Sequence, residues 1–506
     1  MPSYLFGVNN KFGALNIAPF LPVPDIPTII TEWTAVIPLV CHLASYKRDY
    51  ELVGQLSLSG RLSVGMFPKL GVLAGLSRLL ERGPEFIDQA SSKGPPSWRV
   101  WDICWGSIFP CANGGASAMI VRFVLGREKE KVVNMPDTIP TPVKPSITVS
   151  SAFSTLSSET IGEKVRRPVS GEKSPVTTRS ISEEKSSSST TEKSRTSAQE
   201  TSQTTKVLPV ANGHRRFQTL HLLQFHRQPV KRSWVTKIDV VLTSPLWESF
   251  TFVFLIGIVV VLCLLGLYGT AIILLCGALS QASCRAFKVH RPSQYLEANE
   301  QEQESFMLVG LHQNACTWYL FTGDRAIVDT LLNKTMVAIF PSVWRTTLYR
   351  LLRIAHFAQL LAMTFVAGQK GWDGVGLVLL MMLDFLWRWR YNDDQVVRRW
   401  METEGVGIKT KSFKFTGRTM MIGAIHSLSG SNRTAWMDEI LSPHPRRDAW
   451  LTRLQGLGSK SSCEDTMSNA NGIWSTHDWR YIMLSSELAH SSAEILKTAK
   501  STKKYV

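Results

Sequence analysis

Two groups of residues have the types and spacing that could do chemistry. The first sits within an apolar stretch, where Asp384 and Arg388 lie four apart, the spacing of an intrahelical ion pair. If residues 352–367 and 374–387 form an antiparallel helical hairpin turning near Gly371, His356 falls at the depth of Asp384 to Arg388. Ionisable groups are costly inside a membrane. The trio therefore predicts a His356–Asp384 contact between helices, or a proton or ion path. Solvation of these groups at an interface is the plainer alternative. The second group is His312, Gln313 and Asn314 with Asp324 and Arg325, the densest polar cluster outside the apolar segments. Such a cluster would suit a phosphorylated or sugar ligand, whereas loop polarity and helix capping by Thr322 or Asp324 account for the same residues.

Weaker features add little chemistry. Glu32 sits near the end of a marginal apolar segment, and Asn392, Asp393 and Asp394 form only a short acidic run. Gly456, Gly458 and Lys460 lack the spacing of a phosphate-binding loop, and there is no H-E-x-x-H or G-x-S-x-G. The cysteines are scattered without a C-x-x-C, which reads as small buried residues with reduced thiols. No catalytic residue, metal or cofactor is expected. The sequons at Asn333 and Asn432 fall on the expected cytosolic side and should be unmodified.

The elements that must position these residues are set by hydropathy. Residues 250–279 contain no charged side chain, and an apolar run of that length must be helical in a bilayer. Lys231, Arg232 and Lys237 precede it, and Arg285, Lys288 and Arg291 follow. Basic residues on both flanks favour a hairpin turning at Gly266–Gly269 and returning to the cytosol; one long tilted helix is the alternative. In the second hairpin, Trp372, Trp387 and Trp389 sit where interfacial aromatics belong. Three further segments, 26–44, 62–80 (with a G-x-x-x-G at Gly71 and Gly75) and 101–125, read as two or three weak membrane helices. The N-terminus lacks a basic region followed by an apolar run, so no cleaved signal peptide is expected.

The chain carries a net charge of +16, and its basic residues cluster beside the apolar segments. That pattern points to the anionic cytosolic leaflet of a bilayer rather than to nucleic acid. The stretch 214–234 is basic and interleaved with Phe217, Leu220 and Leu223 at helical spacing, which reads as a helix lying on lipid headgroups. Residues 134–206 are dominated by Ser, Thr, Glu, Lys and Pro. They cannot bury a core, and read as a disordered linker that frees the flanking membrane units and offers contacts to protein partners. Ser170 and Ser174 are candidate kinase sites there.

Two stretches outside the apolar runs predict soluble structure. Residues 305–332 read as two short strands and a helix beginning near Asp324, and 408–425 as a β-hairpin turning at Gly417. Neither has enough apolar surface for a core alone, so they should fold together. The expected fold class is mainly α: a multi-pass α-helical membrane protein of about four to seven spans, with a small composite α+β cytosolic domain and a disordered linker. Its map is 1–133, weak membrane helices; 134–206, linker; 207–245, basic juxtamembrane segment; 246–285, first hairpin; 286–351, first cytosolic part; 352–390, second hairpin; 391–506, second cytosolic part.

The strings PDIPTIITEWTAVIPLVCHL, GQLSLSGRLSVG and HQNACTWYLFTGDRAIVDTLLNKTM resemble those of a group of uncharacterised multi-pass membrane proteins of filamentous fungi. The resemblance implies a membrane protein with ordered flanks, but no activity and no functional residue. The expected function is a non-enzymatic scaffold, sensor or regulatory component of a membrane. A transporter or channel is second, and a membrane-bound transferase using the 312–325 region is third.

Overall fold

A computed structural model describes residues 27–45, 48–61, 67–93, 97–127, 132–137, 217–229, 245–286, 289–292, 295–297, 304–339, 345–369, 371–389, 392–458 and 474–501. All lie in one unit made from Met1–Ile139 and Arg215–Val506. The Ser/Thr-rich stretch with Ser170 and Ser174, and the basic residues Lys231, Arg232 and Lys237, lie outside the described residues.

Alternation of apolar residues on both faces builds a seven-stranded mixed sheet. Its strands are β1 (Arg99–Asp102), β2 (Ile108–Pro110), β3 (Val133–Asn134), β4 (Gln218–Arg227), β6 (Glu304–Gly310), β7 (Thr317–Asp324) and β9 (Val406–Phe415), in the order β2-β1-β6-β7-β4-β9-β3. A separate ribbon pairs β5 (Val289–His290) with β8 (Ala338–Ile339). Within the large sheet, β4 runs parallel to β7 and antiparallel to β9, and β3 runs parallel to β9.

One face sends Val100, Leu223, Phe225, Met307, Val309 and Phe321 into a core shared with five helices. These are α2 (Asp49–Ser59), α3 (Val72–Arg82), α4 (Pro84–Lys93), α5 (Gly114–Arg127) and α8 (Arg325–Leu332), joined by α11 (Asp393–Glu404). The other face sends Trp101, Leu220, Leu308, Trp318, Phe413 and Phe415 against α12 (Arg418–Ser429), α13 (Pro445–Gly458) and α14 (Thr476–Ser501). The result is a three-layer α/β/α sandwich, the standard way for a sheet with two apolar faces to bury both. Five further helices form a layer of their own: α1 (Thr28–Ala44), α6 (Pro245–Leu264), α7 (Tyr268–Ala286), α9 (Arg345–Gln369) and α10 (Trp372–Trp389).

The multi-pass, mainly-α expectation is overturned on two counts. A mixed sheet organises the described unit. Among the described residues, a single helix, Arg345–Gly368, is long and apolar enough to cross a membrane, or two if α1 and α2 are counted as one broken span. Two of the three apolar runs that suggested further spans serve the sandwich. Residues 72–82 form α3, with Val72, Leu73, Leu76, Leu79 and Leu80 buried; Gly75 faces Asp49 rather than a lipid-borne partner helix. Residues 101–125 divide into β1, β2 and α5. Short apolar runs look alike in a soluble core and in a membrane.

Two local readings also change. The basic stretch 214–234 contains β4, a strand with neighbours on both sides, and not a helix on headgroups. Its buried apolar residues are divided between two faces, Leu220 and Leu222 on one and Leu223 and Phe225 on the other, so Leu220 and Leu223 also fit the three-residue spacing of a helical stripe. The chain beyond Gly417 forms α12 in place of a returning strand; Met421, Ile422 and Ile425 lie buried against the sheet.

Candidate functional site

The five-helix layer has its own apolar cluster, in which Leu255, Ile273, Leu274, Met363, Val366 and Leu377 meet. The outward faces are apolar as well. Trp33, Val36 and Val40 of α1, Phe250, Val253 and Phe254 of α6, Ile354, Phe357 and Leu361 of α9, and Leu379, Met382 and Phe385 of α10 are all exposed. The exposed apolar belt runs from Ile29 to Leu43, from Phe250 to Leu264 and from Trp372 to Leu386. Each interval is about 21 Å at the helical rise.

A tight turn with Gly266 at φ +79° joins α6 to α7. At the same end of the layer, Asp373 begins α10 and is only 7% exposed. Its carboxylate accepts the N–H groups of Gly269 and Thr270, each at 2.7 Å, and the Thr270 hydroxyl at 2.6 Å. Asp373 therefore caps α7 from a different helix, satisfying donors that a helix start leaves free.

At the opposite end, the segment around Phe67 enters between α9 and α10. Asp384 Oδ1 accepts the Phe67 N–H at 3.1 Å, and Gln359 donates to the Pro68 carbonyl at 2.7 Å. The Phe67 ring meets the buried His42 of α1 edge-on, with centroids 5.4 Å apart. His356 faces His42 and Arg78 electrostatically. No hydrogen bond or ion pair joins His356 to Asp384 among the described residues; the carboxylate of Asp384 holds the Phe67 N–H. The side chains of Arg388, Trp387 and Trp389 lie outside the described residues.

The second predicted cluster is split along one strand. His312, Gln313 and Asn314 form the β6–β7 turn, where His312 Nδ1 accepts the Asn314 N–H. Arg418 donates to the Gln313 carbonyl at 2.9 Å and to Asn314 Oδ1 at 2.5 Å. Asp324 lies at the far end of β7, where it caps α8 through the N–H groups of Ala326 and Ile327 and pairs with Arg227 at 2.7 Å. Arg325 stacks over the Trp105 ring, 5.0 Å from its centroid. The eight-residue strand β7 runs from the turn to Asp324, its last residue, so no common pocket forms from these residues. Asp393, from the short acidic run, accepts a hydrogen bond from Gln55 across α2 and α11.

Sequence reasoning missed the buried carboxyl of Asp102. It closes the β1–β2 turn by accepting the N–H groups of Cys104 (2.9 Å) and Trp105 (3.1 Å). Burial pushes its carboxyl above the usual carboxylate range; those two hydrogen bonds and Arg325 pull the other way. Burial likewise raises the Cys104 thiol and pushes the Cys111 thiol up to about 12, which leaves both as unreactive thiols at neutral pH. A shallow cavity of about 290 Å³ lies between α5, α11 and the end of β4, lined by Arg127, Gln228, Arg398 and Glu402 over Phe123 and Met401. Among the described residues, no group of three or more His, Cys, Asp or Glu could hold a metal ion.

No protein-family model, curated protein or solved structure matches the chain.

Proposed function

We propose that this is a membrane-embedded, non-enzymatic protein, in which the five-helix layer sits in the bilayer and holds the α/β/α sandwich at its surface as a scaffold or regulatory platform. The observation that carries this reading is the apolar outer surface of α1, α6, α9 and α10. Exposed apolar patches of such extent mark membrane or protein contacts. The belt is about 21 Å deep, less than the roughly 30 Å of a hydrocarbon core. The layer accordingly enters the bilayer and its hairpins turn back within it.

A structural role is supported by what the polar side chains do. Asp373, Asp384, Gln359 and Asp324 all hold backbone groups in place. The Ser/Thr-rich insertion is the part assigned to protein partners. Flotation with phosphatidylcholine vesicles after an alkaline carbonate wash tests the reading; a chain that stays with the aqueous fraction overturns it. Ion flux in proteoliposomes that is lost in His356→Leu would replace the scaffold with a transporter.

A further inference from the structure

Along α9, charge and apolar surface follow one another on a single face. Arg350 and Arg353 are exposed where the helix leaves the sandwich. Ile354, Phe357, Leu361 and Phe365 continue the stripe at spacings of three or four residues, each between 43% and 70% exposed. Arg345, lower on the helix, is occupied: its guanidinium donates to the carbonyls of Leu80 and Glu81 at the end of α3. Arg78 is paired with Asp49 at 2.7 Å. Arg350 touches the neighbouring Tyr349, and Arg353 makes no hydrogen bond or ion pair among the described residues.

From Arg353 to Phe365 the stripe extends about 18 Å. One leaflet contributes about 15 Å of hydrocarbon, half the thickness of the core. We propose that this stripe binds one anionic phospholipid, its phosphate against Arg350 and Arg353 and an acyl chain along Ile354, Phe357, Leu361 and Phe365. The assignment rests on the membrane-embedded reading above. Guanidinium groups favour phosphate because the planar fork donates two parallel hydrogen bonds. The adjoining apolar stripe distinguishes a lipid from a free anion.

The test uses the full chain in detergent, titrated with phosphatidylserine, phosphatidylcholine or inorganic phosphate, with bound lipid read by native mass spectrometry. Phosphatidylserine should bind more tightly than phosphatidylcholine. Arg350→Gln with Arg353→Gln should weaken phosphatidylserine about 30-fold, two cationic side chains at about 1 kcal/mol each, and the corresponding double lysine variant should recover only part of it, keeping the charge without the fork. Phe357→Ala should weaken both lipids and leave phosphate unchanged. Equal phosphatidylserine binding by wild type and the double glutamine variant overturns the proposal, as does inorganic phosphate binding as well as the lipid. Vesicle flotation separates the two readings. A wild-type chain that fails to float removes the membrane reading itself; a chain that floats but shows no arginine dependence removes the lipid site alone.

Discussion

The carboxylate of Asp373 holds Thr270 by both its backbone N–H, at 2.7 Å, and its hydroxyl, at 2.6 Å. Asp373 stands at the first turn of α10 and Thr270 at the first turn of α7, so one anion serves the positive ends of two helices. Replacing it leaves buried donors without an acceptor. Asp373→Ala should destabilise the chain by about 2 kcal/mol and Asp373→Asn by about half as much. Thermal unfolding in detergent would read the difference; wild-type stability in the alanine variant would remove the cap from the account of this layer.

A stronger effect is expected where β4 and β7 run side by side. Gly323 has φ +111°, and a Cβ there would lie 2.0 Å from the Phe225 carbonyl oxygen. Both the backbone conformation and the contact exclude a side chain. Gly323→Ala should lose 3 kcal/mol or more, about the upper range for a strained backbone position, and yield little folded protein. Gly417→Ala, with nothing within 4 Å of the added carbon, serves as the control. Similar yields for the two variants would contradict the parallel pairing of β4 with β7.

The Ser/Thr-rich segment is an insertion in a sheet, not a tether between separate membrane units. Asn134 of β3 and Thr219 of β4 both pair with Lys414, on opposite sides of β9. The chain thus leaves and rejoins the sheet at one end, two strand spacings or about 10 Å apart. Replacing residues 139–215 by a short Gly/Ser loop should preserve the fold and gain about 2 kcal/mol of loop-closure entropy. Circular dichroism and the unfolding midpoint check this. An aggregated product would contradict the shared register.

Asp102 should make stability depend on pH. Its carboxyl titrates above the unfolded value because it is buried. The neutral form is therefore favoured in the folded state, and that contribution is complete below the unfolded pKa and lost as pH rises through the folded one. Asp102→Asn keeps an oxygen for the Cys104 and Trp105 N–H groups without the charge. Its stability relative to wild type should rise from pH 4 to pH 8, read by urea unfolding at each pH. A gap that is constant across the range would contradict the buried-carboxyl account.

What could be read from the residues depended on whether local pattern and environment agreed. The strands and capped helix of 305–332 follow from short apolar runs closed by turn residues and an Asp at the helix start. The turn at Gly266 follows from an uncharged run too long for one helix and interrupted by glycines. By contrast, α3 and α5 were misread as membrane segments because hydropathy reports burial without saying what does the burying. β4 was misread because both its faces are covered, by Leu220 and Leu222 on one side and Leu223 and Phe225 on the other. Of the site residues, the joint role of His312 and Asp324 failed because sequence proximity across a strand is distance in space. Asp373 carried a signal, an acidic residue straight after the glycine turn that opens a helix, yet its partner more than a hundred residues earlier did not.

The central claim is that the outer faces of α1, α6, α9 and α10 meet lipid. An environment-sensitive fluorescent amino acid at Val253, Leu361 or Phe385, in the chain reconstituted into phosphatidylcholine vesicles, tests it most directly. Brominated lipid should quench all three positions and aqueous iodide none, with the reverse at Trp105 on the sandwich. Iodide quenching at all three, with no effect of brominated lipid, would contradict it.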